Sequence, residues 1–133
     1  MADSPSIYPT LRFRDTPAAI RWLVDALGFE QGLVVPGENE GEIRHAELKL
    51  GNGMIMVGDD LHDQDPIAQP PGVAACYLVI NDPDERYARA KEHGAEIVRE
   101  LTDTDYGSRD FTVRDPEGNI WSFGTYDPFA PPA

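Results

Sequence analysis

The strongest constraint on this chain is a plan that it carries twice. The first copy reads Leu11-Arg12-Phe13-Arg14-Asp15-Thr16-Pro17, then a helical run, then Leu27-Gly28-Phe29-Glu30. The second reads Leu78-Val79-Ile80-Asn81-Asp82-Pro83, then a helical run, then His93-Gly94-Ala95-Glu96. In each, a strand feeds a helix with Pro in its first turn and Gly at its end, and Pro17–Gly28 and Pro83–Gly94 span equal lengths of chain. Pro suits the first turn because its missing N–H has no partner there, and Gly reaches the left-handed conformation that stops a helix. A short strand and a hairpin follow each Gly. Such a duplication predicts two half-sheets that pack together to close a core, with a site between them that draws residues from both.

The boundaries follow from the pattern. Module one spans about 7–58, a linker about 59–72 and module two about 73–126, within one domain of 133 residues. The first strand, Ile7 to Arg14, alternates Ile7, Pro9, Leu11 and Phe13 with Tyr8, Thr10, Arg12 and Arg14, the period of a sheet with two different faces. Thr16 is expected to cap the first helix, whose apolar stripe is Ile20, Leu23, Val24 and Leu27. Strands at Gln31–Val35 and Glu42–Leu50 follow, and Gly51-Asn52-Gly53 turns a hairpin into Met54–Val57. The Asp- and Pro-rich linker has no periodicity and reads as a loop. The unbroken apolar run Val73–Ile80 predicts a strand buried on both faces or a stiff interface strand.

In the second module, Asp82-Pro83-Asp84-Glu85 has the form of a capping box, with His93 at the negative end of the helix. Strands at Glu96–Glu100, Asp110–Arg114 and Asn119–Thr125 complete it, the last two joined by a type I turn at Asp115-Pro116-Glu117-Gly118. Residues 1–6 and 128–133 read as tails. The fold class is α+β, with the order β-α-β-β-β occurring twice.

Composition narrows the function. A hydrophobic share of 41% argues for a folded globule. The net charge of −13 counts against a nucleic-acid partner, since phosphates need clustered Lys and Arg, and an acidic field draws cations or simply keeps the chain soluble. Cys76 is the sole cysteine, so no intramolecular disulfide forms, and it packs as a small hydrophobe. No apolar stretch is long enough to span a bilayer, and Met-Ala-Asp-Ser-Pro-Ser lacks the basic start and apolar centre of a secretory signal, so a cytoplasmic protein with no membrane partner is expected.

Taken together, Leu11-Arg12-Phe13-Arg14-Asp15, Leu27-Gly28-Phe29, Asp115-Pro116-Glu117-Gly118-Asn119 and the doubled βαβββ order resemble the glyoxalase/bleomycin-resistance superfamily, the vicinal oxygen chelate proteins, from about Ile7 to Tyr126. The resemblance implies two curved sheets forming a partly open barrel around a cavity. It also implies homodimers, with modules often paired across chains, although the sequence itself leaves pairing within or between chains open. Family enzymes hold a divalent metal by His, Gln or Glu from four strands. Carried onto this chain, those positions fall at Tyr8, Met56, Ala75 (or its neighbour Ala74) and Ser122. None of these binds Zn²⁺, Ni²⁺, Mn²⁺ or Fe²⁺, which want imidazole and carboxylate. The expectation is therefore no metal and no cofactor.

The candidate ligand contacts come from both modules. Arg12 shares a strand face with Tyr8 and Thr10, toward the cavity if Leu11 and Phe13 pack on the helix, and once buried it needs a carboxylate partner from a ligand or the chain. Met54, Met56 and Ile120 offer a soft apolar wall, Tyr8 and Tyr77 add aromatic faces, and Ser122 stands at a vacated ligand position. Tyr106 lies in a glycine-containing loop at the cavity mouth, placed to act as a lid. Ordinary core packing or turn formation accounts for each of these taken singly. His45-Ala46-Glu47 puts two donors on one strand face, too few for a metal, and reads as a polar face shared with Lys49. Trp121 and Phe123 are expected to face a helix, and Trp22 the core or a dimer contact.

No Ser-His-Asp or Cys-His set and no phosphate loop is present, so no catalytic residue is assigned. Three functions remain. One is a metal-independent binding protein of the bleomycin-resistance type, sequestering a cationic aromatic molecule. Another is an isomerase, lyase or dioxygenase using a divalent metal, or without metal Tyr8, Arg12 or Glu47. A domain acting only through protein contacts is a third.

Overall fold

The computed structural model describes residues 4–130, so the outermost parts of the expected tails, 1–3 and 131–133, lie outside the described residues. In chain order the elements are β1 (Thr10–Phe13), α1 (Thr16–Leu27), β2 (Glu30–Pro36), β3 (Ile43–Leu50), β4 (Gly53–Asp59), β5 (Ala75–Val79), α2 (Pro83–Glu92), β6 (Glu96–Asp103), β7 (Arg109–Arg114) and β8 (Ile120–Gly124). They form two four-stranded sheets, ordered β1-β4-β3-β2 and β5-β8-β7-β6. In each, the first strand runs parallel to the last, and the remaining pairs are antiparallel. The doubled βαβββ plan and the α+β class stand.

Four local expectations change, each for a physical reason. Strand β1 begins at Thr10 rather than Ile7, because Pro9 has no N–H for a ladder; its carbonyl accepts the Met56 N–H at 2.9 Å. The cap of α1 is Asp15, whose carboxylate accepts the Ala18 N–H at 3.2 Å. Thr16 is instead fully buried, and its hydroxyl donates to the Asp59 carboxylate at the end of β4. The capping box of α2 does not form, since the Asp82 carboxylate is drawn away by Arg86 one turn on, at 2.8 Å. Finally, β5 is not buried on both faces. Cys76 and Leu78 pack on the core while Ala75, Tyr77 and Val79 point outward and are exposed.

The core forms between the helix-side faces of the two sheets. Phe13, Leu23, Leu48, Phe111, Val113, Trp121 and Phe123 are buried in it, drawn from both modules. Phe29 of module one meets Trp121 of module two edge-on, with centroids 5.7 Å apart, and Phe111 stacks on Phe123 at 4.9 Å.

Helix α1 is also clasped at both ends by module two. At its N-terminus the Glu117 carboxylate accepts the N–H groups of Arg14 (2.6 Å) and Asp15 (2.9 Å). At its C-terminus Arg86 donates to the Leu27 carbonyl (3.3 Å), and Arg89 donates to those of Asp25 (2.7 Å) and Val24 (3.0 Å). Each group has the sign that the helix dipole favours at that end, and the arginines satisfy the Asp25 and Leu27 carbonyls, which lie in the last turn where a helix leaves such groups without partners. Glu117 is held in place by its turn. Buried Asp115 accepts from the Glu117 and Asn119 N–H groups, the Asn119 amide and the Trp121 indole, while the Gly118 N–H closes the turn on the Asp115 carbonyl at 3.0 Å. With the helix sides turned toward one another, the opposite faces of both sheets are left open.

Candidate functional site

Strand register lays out each open face as rows. On module one, Thr10, Met56 and Glu47 lie side by side, flanked by Arg12 with Gly58 and by Met54 with Lys49. On module two, Tyr77, Ser122 and Thr112 form the middle row, flanked by Val79 with Gly124 and by Ala75, Ile120 and Arg114. Ser122 and Thr112 share a hydroxyl hydrogen bond of 2.9 Å.

Gly58 and Gly124 hold matching places at the ends of β4 and β8, and both lack a side chain for reasons of space. A Cβ at Gly58 would stand 2.8 Å from the Arg12 guanidinium and 2.7 Å from the Arg44 carbonyl. One at Gly124 would stand 2.6 Å from the Tyr77 hydroxyl and collide with the Asp110 carboxylate.

The residues singled out from sequence fall into three groups. Tyr8, Met54 and Tyr77 gather about the β3–β4 hairpin. Tyr8 and Met54 line a groove of about 480 Å³ with Lys49 and Asn52. Met54 and Tyr77 line a neighbouring hollow of about 280 Å³ at the seam of the modules, floored by Phe29 and Trp121. Met56 lies at the centre of the module-one face, Ser122 at the centre of the other and Ile120 in the row beside it. Arg12 borders a separate hollow of about 200 Å³ beneath Gln69, Pro70, Gly72, Val73 and Ala74, where the linker enters module two. Its guanidinium donates one long bond, 3.5 Å, to the Asp59 carbonyl, and it forms no ion pair among the described residues. The carboxylate expected for it is not supplied by those residues.

Tyr106 opens a third group that sequence reasoning missed in part. Its hydroxyl lies 3.2 Å from the Asp110 carboxylate, and its ring meets Tyr126 edge-on at 6.0 Å. The Tyr77 hydroxyl donates to the Tyr126 carbonyl at 2.8 Å. Burial pushes the Tyr77 phenol up, and the charge of Asp110 adds to the shift. Tyr106 and Tyr77 thus flank Asp110, with Tyr126 packed on Tyr106, a carboxylate to which the sequence reading gave no role. The signal was present: the alternation of β7 puts Asp110 and Thr112 on the face opposite Phe111 and Val113.

The register also tests the implied metal. Met56 pairs with Thr10 rather than Tyr8, and Ser122 with Tyr77 rather than Ala75. By either count, hydroxyls and a thioether stand where a divalent ion wants imidazole and carboxylate, and the residues present do not fit one. Among the described residues no three His, Cys, Asp or Glu side chains gather. His45 and Glu47 pair with each other at 2.8 Å, both within reach of solvent.

Comparison with known proteins bears on these faces. The family model of the Glyoxalase/Bleomycin resistance protein/Dioxygenase superfamily matches residues 7–123. The chain is 30% identical over 126 residues to an uncharacterized protein of Mycobacterium bovis, covering 90% of this chain and 82% of that one. Among solved structures it is similar to TioX from Micromonospora sp. ML1, at 32% identity and TM-score 0.75, over 90% of this chain and 98% of the other. It shares its fold with TnmS3, an antibiotic binding protein from Streptomyces sp. CB03234 (24% identity, TM-score 0.69, 92% and 96% covered). The same holds for a lactoylglutathione lyase from Agrobacterium tumefaciens (24% identity, TM-score 0.63, 90% and 93% covered).

Proposed function

The chain belongs to the glyoxalase/bleomycin resistance/dioxygenase superfamily, and within it we propose a metal-independent binding protein that sequesters a cationic aromatic small molecule. The observation that carries this reading is the set Thr10, Met56, Tyr77 and Ser122 at the centres of the open faces. Because the fold serves both an antibiotic binding protein and a lyase, function rests on the side chains of the site rather than on architecture. Those side chains offer thioethers, hydroxyls and tyrosine rings, surfaces on which a flat ligand stacks. The net charge of −13 attracts a cationic one. Glu47, the candidate general base of an enzyme reading, contacts the His45 imidazole and is partly exposed to solvent rather than held in a dry pocket.

A homodimer completes the site. Neither face covers the other within a chain, because the modules meet through their helix sides. Two-fold pairing covers both with self-complementary contacts and leaves the ligand between them. No helix among the described residues is long and apolar enough to cross a membrane, and the proposed compartment is the cytoplasm, where a drug-sequestering protein meets its ligand.

Isothermal titration with bleomycin-like glycopeptides and other basic aromatic compounds tests the function. Saturable heat is expected, and silence from all of them at millimolar concentration overturns the reading. Stoichiometric Zn, Ni, Mn or Fe in protein purified without chelator overturns metal independence. Light scattering at micromolar protein is expected to give twice the chain mass.

A further inference from the structure

We infer that Asp110 and the tyrosines around it form the recess that takes an alkylated ammonium group. This rests on the small-molecule reading above and assigns the ligand's charge to particular atoms. Asp110 is half-buried on the open face of module two, and its carboxylate accepts two hydroxyls, from Ser108 and from Tyr106. Those donors orient the carboxylate without neutralising it. Asp82, Asp84, Asp103, Glu96 and Glu117 all pair with arginines, whereas Asp110 has no ion pair among the described residues.

The setting is held in place. Ser108 is 3% exposed, its N–H bound to the Thr104 hydroxyl at 2.9 Å and its own hydroxyl accepting the Tyr126 N–H at 3.0 Å. Tyr77 is anchored to the Tyr126 carbonyl, and Tyr106 and Tyr126 stand perpendicular, at 89°. All three rings remain exposed, so their π-faces are available. A carboxylate beside tyrosine faces attracts cations, and alkylated ammonium loses less hydration on leaving water than a metal ion does. Gly124 supplies the floor that a side chain would block. The matching place on module one carries Arg12 over Gly58, with His45 next along β3. At this place in the fold, then, module two presents a carboxylate where module one presents a guanidinium.

The test titrates benzyltrimethylammonium into the full chain at low salt, up to tens of millimolar, and reads backbone amide shifts by NMR. Benzyl alcohol serves as the neutral comparator. The expected result is shifts centred on Tyr77, Tyr106, Asp110 and Tyr126, with Asp110→Asn weakening the cation about tenfold and leaving benzyl alcohol unchanged. Tyr106→Ala, in an exposed turn, also weakens the cation and carries the test if Asp110→Asn fails to fold. Shifts confined to the groove of Tyr8 and Met54, or an Asp110→Asn variant that binds the cation like wild type, overturn the assignment. So does an Asp110→Asn variant whose light-scattering mass falls by half, since Asp110 then belongs to a contact between copies. Binding of both probes with no preference for charge defeats this inference and spares the small-molecule reading. Failure of every probe, glycopeptides included, defeats that reading itself.

Discussion

Helix α1 buries Thr16, Ala19, Ile20, Leu23, Ala26 and Leu27, while α2, at the same point of the second module, buries Ala90 alone. The backbone plan is shared, and the side chains explain the difference. α1 reads TPAAIRWLVDAL, an apolar face that packs on the first sheet and leaves its flank to α2. α2 reads PDERYARAKE, and beyond Ala90 its packing centres on Tyr87, edge-on to Phe111 at 5.3 Å and covered by Lys91 at 5.2 Å. The charges that α2 carries instead of apolar groups include Arg86 and Arg89, which hold the end of α1. Duplication thus yields unlike halves: module one supplies the buried ridge, and module two supplies the clasp around it. A helix serving as a shared core element tolerates little change, and a helix serving as a strut tolerates more.

The comparison breaks most decisively at Leu23. Leu23→Ala is expected to cost about 2–5 kcal/mol in urea unfolding, against about 1 kcal/mol for Ala90→Gly in α2. Equal losses at the two sites would show that α1 is no more central than α2.

Asp115→Ala sharpens the role of the turn that carries Glu117. It strips an acceptor from Asn119, from the Trp121 indole and from two backbone N–H groups, with an expected loss of about 3 kcal/mol. A loss below one kcal/mol, roughly that of an ordinary surface change, would mean that the turn does not depend on this carboxylate.

The clasp itself is weaker. Glu117→Gln keeps an acceptor but removes the charge at the N-terminus of α1, and Arg89→Ala removes two donors at its other end. Each is expected to cost about 1 kcal/mol, less at high salt. A salt-independent loss would assign the effect to packing rather than to the helix dipole.

The smallest effect separates the two sides of β5. Burial pushes the Cys76 thiol up, so less thiolate is present at mildly alkaline pH than for an exposed cysteine. Slow alkylation by iodoacetamide is expected, accelerating to the free-thiol rate in urea. Alkylation at the free-thiol rate in the native protein would place Cys76 on the open side with Tyr77.

Much of the fold was legible because its signals are local. The alternation of Leu11 and Phe13 with Thr10 and Arg12, the Gly51–Gly53 hairpin and the Asp115–Gly118 turn each depend on neighbours a few residues away. The mistakes arose where a local signal met a distant competitor. Thr16 is a good capping residue by type, but its hydroxyl is taken by Asp59, and Asp82 is lost to Arg86. The Val73–Ile80 run is apolar throughout, yet β5 is an edge strand whose outer face nothing covers among the described residues. Of the candidate site, the residues near the hairpin could be read from alternation. Asp110 could not be weighed without knowing that Tyr106 and Tyr77 approach it, with Tyr126 packed behind Tyr106.

The sequence alone determined the repeated βαβββ order and the inward faces of most strands, because periodicity does not depend on how the modules dock. Tertiary structure decided the docking. Glu117 reaches Arg14 across 103 residues of sequence, and the helix-side faces share one core. Burying those faces gains more than burying the polar, hydroxyl-rich ones opposite, which stay open.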